Sequence, residues 1–164
     1  MELNTLTDLY IQELKDLYSA EKQILKALPK LVKAANNPQL KEGFENHLSQ
    51  TREHAARLEK HLERLGQTTR GPKCKGIEGV LKEGEEIIEE EADEEVRDAA
   101  LIAAAQRVEH YEIAGYGCAR TFARLLGDKA GAKVLQKTLD EEAETDQKLT
   151  KLAESTVNLA AAAK

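Results

Sequence analysis

The stretch EVRDAALIAAAQRVEHYEIAGYG, residues 95–117, decides the fold because its apolar positions recur every three or four residues. This spacing puts Ile102, Ala105 and Tyr116 on one face of a helix, as expected for a helix that packs in a bundle. Two positions of the same face, between Ala105 and Tyr116, are the carboxylates Glu109 and Glu112. An unpaired buried carboxylate is costly, so acids in an apolar face normally pair, take up protons or bind a cation. The stretch therefore predicts both a packed helix and a polar site inside a bundle.

The rest of the chain repeats this helical pattern between breaks at Gly, Pro and Asn residues. We predict four long helices, at about 3–35, 40–65, 95–126 and 129–157. The link from 66 to about 94 is long and holds a short amphipathic stretch at 77–88. Two tight turns and one long link are typical of a four-helix bundle with a single crossover connection, the ferritin-like arrangement. We expect one all-α domain over residues 1–164, with a short extra helix in the crossover.

Composition agrees with this fold class and excludes others. Of the 164 residues, 41% are hydrophobic, 33% are charged and only 4% are aromatic. A β-sandwich needs more aromatic and β-branched residues, and a disordered chain lacks regularly spaced apolar ones. The formal net charge of −6 argues against a general nucleic-acid binder, which needs a basic surface.

The sequence also carries expectations about the compartment in which the protein works. No stretch approaches the roughly 18 apolar residues of a membrane span, and the first nine residues lack the features of a secretion signal. The two cysteines, Cys74 and Cys118, form no CxxC pair and are expected to be reduced thiols. We therefore expect a cytoplasmic protein with no membrane partner.

Carboxylates also interrupt the apolar faces of two other predicted helices. Glu21 lies on the face of the first helix, and Glu142 lies on the face of the fourth, with Asp146 beside it. With a rise of about 1.5 Å per residue, these acids and those of the third helix fall near mid-height in their helices. Interior carboxylates from three helices are thus expected to converge at one level of the bundle.

The second helix offers imidazoles at the same level. His47 and His54 lie on its apolar face, and Gln50 lies one residue from that face. Hard divalent ions take oxygen and imidazole ligands and neutralise clustered carboxylates, so the convergence predicts a two-metal site. The alternative is a polar network in which protons, or cations such as Arg107 and Arg120, balance the acids.

Several segments carry a resemblance to a known family. The stretch 95–117, together with DLYSAEKQ (16–23), HLSQT (47–51) and LDEEAETD (139–146), is similar to the YciE/YciF stress-protein family within the ferritin-like superfamily. The resemblance covers most of the chain. It implies a cytosolic, stress-associated helical bundle, commonly dimeric, with a di-iron or similar carboxylate site.

The resemblance also implies roles for individual residues. The superfamily site uses Glu on the first helix, Glu-x-x-His on the second, Glu on the third and Glu-x-x-His on the fourth. Glu21 matches the first position, and Glu142 matches the Glu of the fourth helix. Glu109 and Glu112 match the third helix and resemble the doubled acid of rubrerythrins.

This chain departs from the superfamily pattern at both Glu-x-x-His motifs. Thr145 stands where the fourth helix would carry His, with Asp146 one residue later as a substitute. Gln50 occupies a position where the family often has Glu. The departures imply a weaker or asymmetric metal pair. The predicted metal ligands are Glu21, His47, Gln50, Glu109, Glu112, Glu142 and Asp146.

The functional hypothesis is a ferritin-like stress-response protein whose two divalent ions, iron or else manganese, handle peroxide, dioxygen or iron. A di-iron oxidase or peroxidase-like activity is left open. The alternative is a non-enzymatic dimeric scaffold or interaction protein with a degenerate, metal-free site. Nine of the thirteen residues in 83–95 are acidic, which indicates a solvated face or a docking surface for a protein partner. A homodimer is expected in either case.

Overall fold

The structure, a computed structural model, describes residues 3–164, and its regular elements in this range are all helices. They are α1 (Leu6–Ala34), α2 (Pro38–Arg64), α3 (Lys75–Glu89), α4 (Glu94–Leu125), α5 (Lys129–Leu152), a π-helical turn (Ala153–Val157) and α6 (Asn158–Ala162). Helix α1 packs along α2, and α4 packs along α5, while α3 lies in the crossover against α1 and α4. This confirms the predicted all-α bundle with a short helix in its long crossover.

Side-chain caps fix the starts of the first two helices and explain why their bounds differ from the predicted ones. Thr5 and Asp8 bond each other's backbone N–H in a capping box, so α1 begins at residue 6 and not at residue 3. The Asn37 side chain accepts bonds from the first turn of α2, and Pro38 suits the first helical position. Helix α2 therefore begins two residues before the predicted start at residue 40.

The last long helix was predicted to run unbroken over 129–157, but its α-helical part ends at residue 152. The backbone then widens into the π-helical turn. Ala153 and Val157, at the two ends of this turn, are both buried in the apolar core. The wider turn therefore keeps two apolar residues against the bundle at its end.

Two apolar clusters fill the bundle interior, one on each side of a layer of polar residues. The upper cluster contains Ile24, Phe44, Ile102 and Leu149, and the lower one contains Leu14, Leu58, Ala119 and Leu135, among others. Each of the four long helices places buried polar residues between these clusters. This central polar layer consists of Glu21, His47, Thr51, His54, Glu109, Glu112, Thr138 and Glu142.

Polar contacts tie the crossover to α1. The backbone N–H of Cys74 donates to Ser19 Oγ at 2.9 Å, and Gln23 donates to the Cys74 carbonyl at 3.0 Å.

Both cysteines are free thiols, as predicted; Cys74 is buried and Cys118 is exposed. Among the described helices, none has a segment that is both long and apolar enough to span a membrane.

Candidate metal centre

The central polar layer draws its acids and imidazoles from all four long helices of the bundle. Helix α1 supplies Glu21 and α5 supplies Glu142, while the i, i+3 spacing of Glu109 and Glu112 puts both on the inner face of α4. The four carboxylates are between 0% and 1% exposed, so neighbouring protein groups, and not solvent, determine whether they are protonated.

These side chains form two groups that share one carboxylate. Within each group, one potential ligand atom per residue lies within 4.8 Å of those of all the others. The shared residue is Glu142, and neither of its carboxylate oxygens has a hydrogen bond. The first ligand group is His47, Glu109, Glu112 and Glu142, and the second ligand group is Glu21, His54 and Glu142.

The imidazoles make the closest contacts to the acids. His47 Nε2 lies 3.2 Å from Glu109 Oε1. His54 Nδ1 lies 2.7 Å from Glu142 Oε1 and 3.6 Å from Glu21 Oε1. His54 Nδ1 and Glu142 Oε1 are thus within ion-pair distance, although neither atom makes a hydrogen bond of regular geometry.

Most of the inward-facing atoms have no hydrogen-bond partner. In the part of the chain that the structure describes, this holds for eight atoms of the two groups, which is unusual because buried polar atoms are normally bonded. The atoms are Glu21 Oε2, His47 Nδ1 and Nε2, His54 Nδ1, Glu109 Oε2, Glu112 Oε1 and Glu142 Oε1 and Oε2. Lone pairs gathered without donors are the feature expected where a cation is coordinated.

Burial makes ionisation of the carboxylates unfavourable. It raises the pKa of Glu21 to about 8, with a further contribution from the charge of Glu142. Burial likewise raises the pKa values of Glu109 and Glu112 well above the ordinary value for glutamate, and neighbouring carboxylates add to the effect. Without a cation, the layer therefore holds protons on several of its acids.

The two imidazoles respond differently. Burial lowers the pKa of His47. Burial also opposes the charged form of His54, but the neighbouring Glu142 and Glu21 outweigh it and raise the pKa of His54. In return, His54 and His47 lower the pKa of Glu142, although its burial acts in the opposite direction. In the absence of metal, Glu142 and His54 are therefore the charged pair of the layer.

Permanent cations do not balance the inward-facing acids. Arg107 is exposed on α4, and Arg120 donates to Gln136 at 2.7 Å, outside the layer. Within residues 3–164, the only basic side chains within ion-pair distance of the two ligand groups are His47 and His54. The arginine-balanced network that the sequence left open is therefore absent from the described chain.

An outer shell of bonds orients two of the candidate ligands. His54 Nε2 lies 2.9 Å from Glu141 Oε2, and Arg57 holds this carboxylate through both of its oxygens. A carboxylate behind an imidazole directs the lone pair of the other ring nitrogen inward, as in many metal sites. On the opposite side, the Tyr116 hydroxyl donates to Glu21 Oε1.

Five of the seven predicted ligands lie together in the two groups: Glu21, His47, Glu109, Glu112 and Glu142. Gln50 lies outside them, half-buried on the wall of a neighbouring cleft. Asp146 also lies outside them and accepts a bond from Gln106 at 3.0 Å. Gln50 shares the wall of that cleft with His47 and Glu109, and the assignment of Gln50 and Asp146 as ligands stays a prediction.

Sequence reasoning named His54 as a candidate but left it out of the ligand set. Its spacing of seven residues from His47 was the usable signal, because that spacing places both rings on one face of α2. The outer pair Glu141 and Arg57 had no comparable signal, since both residues look like ordinary exposed charges in the sequence.

Comparisons with known proteins match nearly the whole chain to one family. Residues 5–162 match a family described as "Domain of unknown function (DUF892)". The chain is 46% identical to protein YciF of Escherichia coli K12 over 159 residues, which is 96% of each chain.

Solved structures show the same fold. The crystal structure of the E. coli stress protein YciF superimposes with a TM-score of 0.91 at 47% identity, covering 94% of this chain and 98% of that one. YcfI of Rhodopseudomonas palustris gives 0.88 at 42% identity, covering 91% and 95%. A dodecameric thioferritin of Bacteroides fragilis gives 0.73 at 15% identity, covering 96% and 91%, and this supports the ferritin-like fold alone.

Proposed function

The chain belongs to the DUF892 family of YciF-like proteins, and from this premise we propose that its central polar layer binds two divalent metal ions, iron or else manganese. The first ion is held by His47, Glu109 and Glu112. The second is held by Glu21 and His54. Glu142 belongs to both ligand groups and would be the ligand that the two ions share.

A charge count carries this proposal. Four buried carboxylates face two imidazoles, and Lys and Arg side chains contribute nothing to the balance in the described chain. When all four acids are ionised and both imidazoles are neutral, the layer carries four negative charges. Two divalent ions would bring four positive charges and so neutralise the layer. Metal ligands have to be deprotonated in this way to bind. The unpartnered carboxylate oxygens and one nitrogen of each imidazole are the atoms that would serve as ligands.

Iron at such a site supplies electron transfer to and from peroxide or dioxygen. The residues of this chain bind and orient the ions, and the two apolar clusters exclude bulk water from both sides of the layer. Tyr116 and Glu141 hold Glu21 and His54 in place. Handling of peroxide, dioxygen or iron during stress is the function that this arrangement supports best.

Metal content tests the proposal. After anaerobic reconstitution with Fe(II) and desalting, we expect about two ions per chain, one for each ligand group. His54→Ala removes a ligand of the second group and should leave about one ion. Glu142→Gln affects both groups and should leave almost none. Glu144→Gln, on the exposed side of the same helix, is the matched control and should keep the wild-type content.

Failure of the wild-type chain to retain either Fe(II) or Mn(II) would contradict the proposal, as would full retention by Glu142→Gln. Absence of metal from the wild-type chain would favour the second candidate, a metal-free dimeric scaffold. The acidic segment 83–95 supports this candidate, because most of its carboxylates are exposed and free to meet a basic partner. Pull-down of a partner by the wild-type chain, lost when these acids are changed to Gln, identifies the scaffold function.

A further inference from the structure

A cleft opens between α2 and α5 on one side of the central polar layer. It encloses about 370 Å³, and α1 and α4 form its floor. We call it the α2–α5 cleft and define it by Leu28, Leu40, Phe44, Val108 and Leu149 on its walls and by His47 and Glu109 beside the polar layer. Its volume lies in the range of small-molecule sites.

Aliphatic side chains dominate the cleft, so the body of its occupant is apolar. Ile24, Leu28 and Leu31 of α1 line it in successive turns, and all three are buried against the bundle. At Gly43 on α2, the space where a side chain would begin is open for at least 4 Å. The long apolar wall suits an alkyl chain, which gains from leaving water.

The inner end of the cleft carries polar atoms that lack partners. His47 is 4% exposed and Glu109 is 1% exposed, yet both line the cleft. Among the described atoms, His47 Nδ1 and Glu109 Oε2 have no hydrogen bond. The cleft therefore leads from the surface to the edge of the first ligand group and is more than a packing defect.

The charges at the mouth select the head group. Lys148 and Lys151 stand on the α5 side, and Lys148 is already paired with Glu144 at 2.7 Å. Lys151 is exposed and has no ion pair within the described residues. Glu42 stands on the opposite, α2 side. A carboxylate at the mouth is attracted to Lys151, whereas one at the inner end would meet the buried acids of the layer.

We propose that the α2–α5 cleft binds a free aliphatic carboxylic acid, with its carboxylate at Lys151 and its alkyl chain running inward toward His47 and Glu109. The π-helical turn, of a kind common at functional sites, follows directly after the lining residue Leu152 and shapes this wall. That this molecule is a substrate of the metal centre rests on the proposed function. Its binding to the cleft does not require metal.

Calorimetric titration of dodecanoate into the chain, with and without reconstituted metal, tests the proposal. We expect one molecule per chain in both states and weaker binding of dodecanol, which lacks the charge. Thr145 lines the cleft and is half-buried, so Thr145→Phe should obstruct it and weaken binding about ten-fold or more. Thr121→Phe is the control. The hydroxyls of Thr145 and Thr121 each donate to the backbone carbonyl four residues earlier, but Thr121 lies outside the cleft.

A charge variant tests the position of the head group. Lys151→Glu should weaken dodecanoate binding about three- to ten-fold, as expected for reversal of an exposed charge. Lys133→Glu is the control on an exposed position of α5 outside the cleft. Sedimentation of the same variants is measured in parallel. The proposal is overturned if the wild-type chain does not bind dodecanoate, or if Thr145→Phe binds it as tightly as the wild-type chain does.

A second chain covering the cleft would appear as a change of oligomeric state in Thr145→Phe and Lys151→Glu without dodecanoate binding, and this also overturns the proposal. Metal content is read separately. Dodecanoate binding without metal retention would support the ligand site and contradict the metal centre. Metal retention without dodecanoate binding would support the metal centre and contradict the ligand site.

Discussion

At the scale of single residues, Tyr116 and Glu21 are the clearest buried pair outside the histidine contacts. The Tyr116 ring is fully buried in the lower cluster, and its hydroxyl donates to Glu21 Oε1. Burial, followed by the charge of Glu21, raises the pKa of Tyr116 well above its ordinary value, so the phenol stays protonated and remains a donor. This bond holds one Glu21 oxygen and leaves the other, Oε2, without a partner.

Loss of this donor should destabilise the metal-free protein. Tyr116→Phe leaves Glu21 Oε1 buried without its bond, and we expect a loss of about 1–3 kcal/mol in the free energy of unfolding. Urea denaturation of the chelator-treated protein measures it. Tyr18→Phe is the control, since the half-buried Tyr18 hydroxyl has no hydrogen bond within residues 3–164. Equal stabilities of the two variants would show that the bond contributes nothing.

A second residue-scale network surrounds His61, away from the candidate metal centre. Arg64 Nη2 lies 3.2 Å from His61 Nδ1, and the Tyr10 hydroxyl lies 2.7 Å from His61 Nε2 and 3.1 Å from Asp128. Arginine can only donate, so Nδ1 accepts, Nε2–H donates to Tyr10, and Tyr10 donates to Asp128. The arrangement requires a neutral imidazole.

This requirement gives stability a pH dependence. Burial lowers the pKa of His61 below its usual 6.5, against the attraction of Asp128 and with help from Arg64. The unfolded chain therefore binds the proton more readily, and His61 costs stability as the pH falls below 6.5. Urea denaturation between about pH 7 and about pH 5 should show a smaller loss of stability for His61→Gln than for wild type. Identical slopes would contradict this account.

At the scale of elements, a carboxylate from α4 fixes the turn between α1 and α2. Asp98 is 4% exposed and accepts bonds from the backbone N–H groups of Asn36 at 2.8 Å and Asn37 at 2.7 Å. Asn37 in turn caps α2. One side chain of the second hairpin thus sets the geometry of the first, and with it the position of α2 beside the polar layer.

Removal of this carboxylate should loosen the end of the bundle. Asp98→Ala leaves two backbone donors without their charged acceptor, and we expect a loss of about 1.5–3 kcal/mol in the free energy of unfolding. Thermal and urea denaturation measure it. Asp140→Ala is the control, because Asp140 is exposed and the expected change is within about 0.5 kcal/mol. Faster amide exchange in the α1–α2 turn should accompany the loss, and unchanged exchange would contradict the role.

The elements themselves were largely predictable from the sequence. Glycines mark two helix ends, Gly66 and Gly127, and both adopt positive φ angles there. Helix starts were less accurate, because the capping bonds of Thr5 and Asn37 shifted them by two or three residues. The π-helical turn was not predictable, since it depends on how the end of α5 packs on α4 and leaves no periodicity signal of its own.

At the scale of the whole molecule, the position of the polar layer could be predicted because helix rise is regular. Acids on apolar faces at mid-height had to meet, and Glu21, Glu109, Glu112 and Glu142 do meet. Contacts across helices were harder to predict. The part that His54, Gln50 and Asp146 take in the site depends on the rotation of α2 and α5 within the bundle, which residue spacing does not fix.

The oligomeric state belongs to the same scale and stays a prediction, as does the role of the acidic segment 83–95. Most of the acidic side chains of that segment are exposed, and one of them, Glu85, pairs with Lys30 at 2.6 Å. The predicted homodimer is checked by analytical ultracentrifugation of the wild-type chain, where a single species of twice the 18.2 kDa chain mass is expected. A monomer at all concentrations would contradict it.

Anomalous diffraction at the iron edge, from crystals grown after anaerobic Fe(II) reconstitution, tests the metal centre most directly, because it reports element and position together. The account predicts two peaks inside the bundle, one among His47, Glu109 and Glu112 and one beside Glu21 and His54, with Glu142 in contact with both. Crystals with no peak in the polar layer, or with peaks at surface carboxylates only, would contradict it.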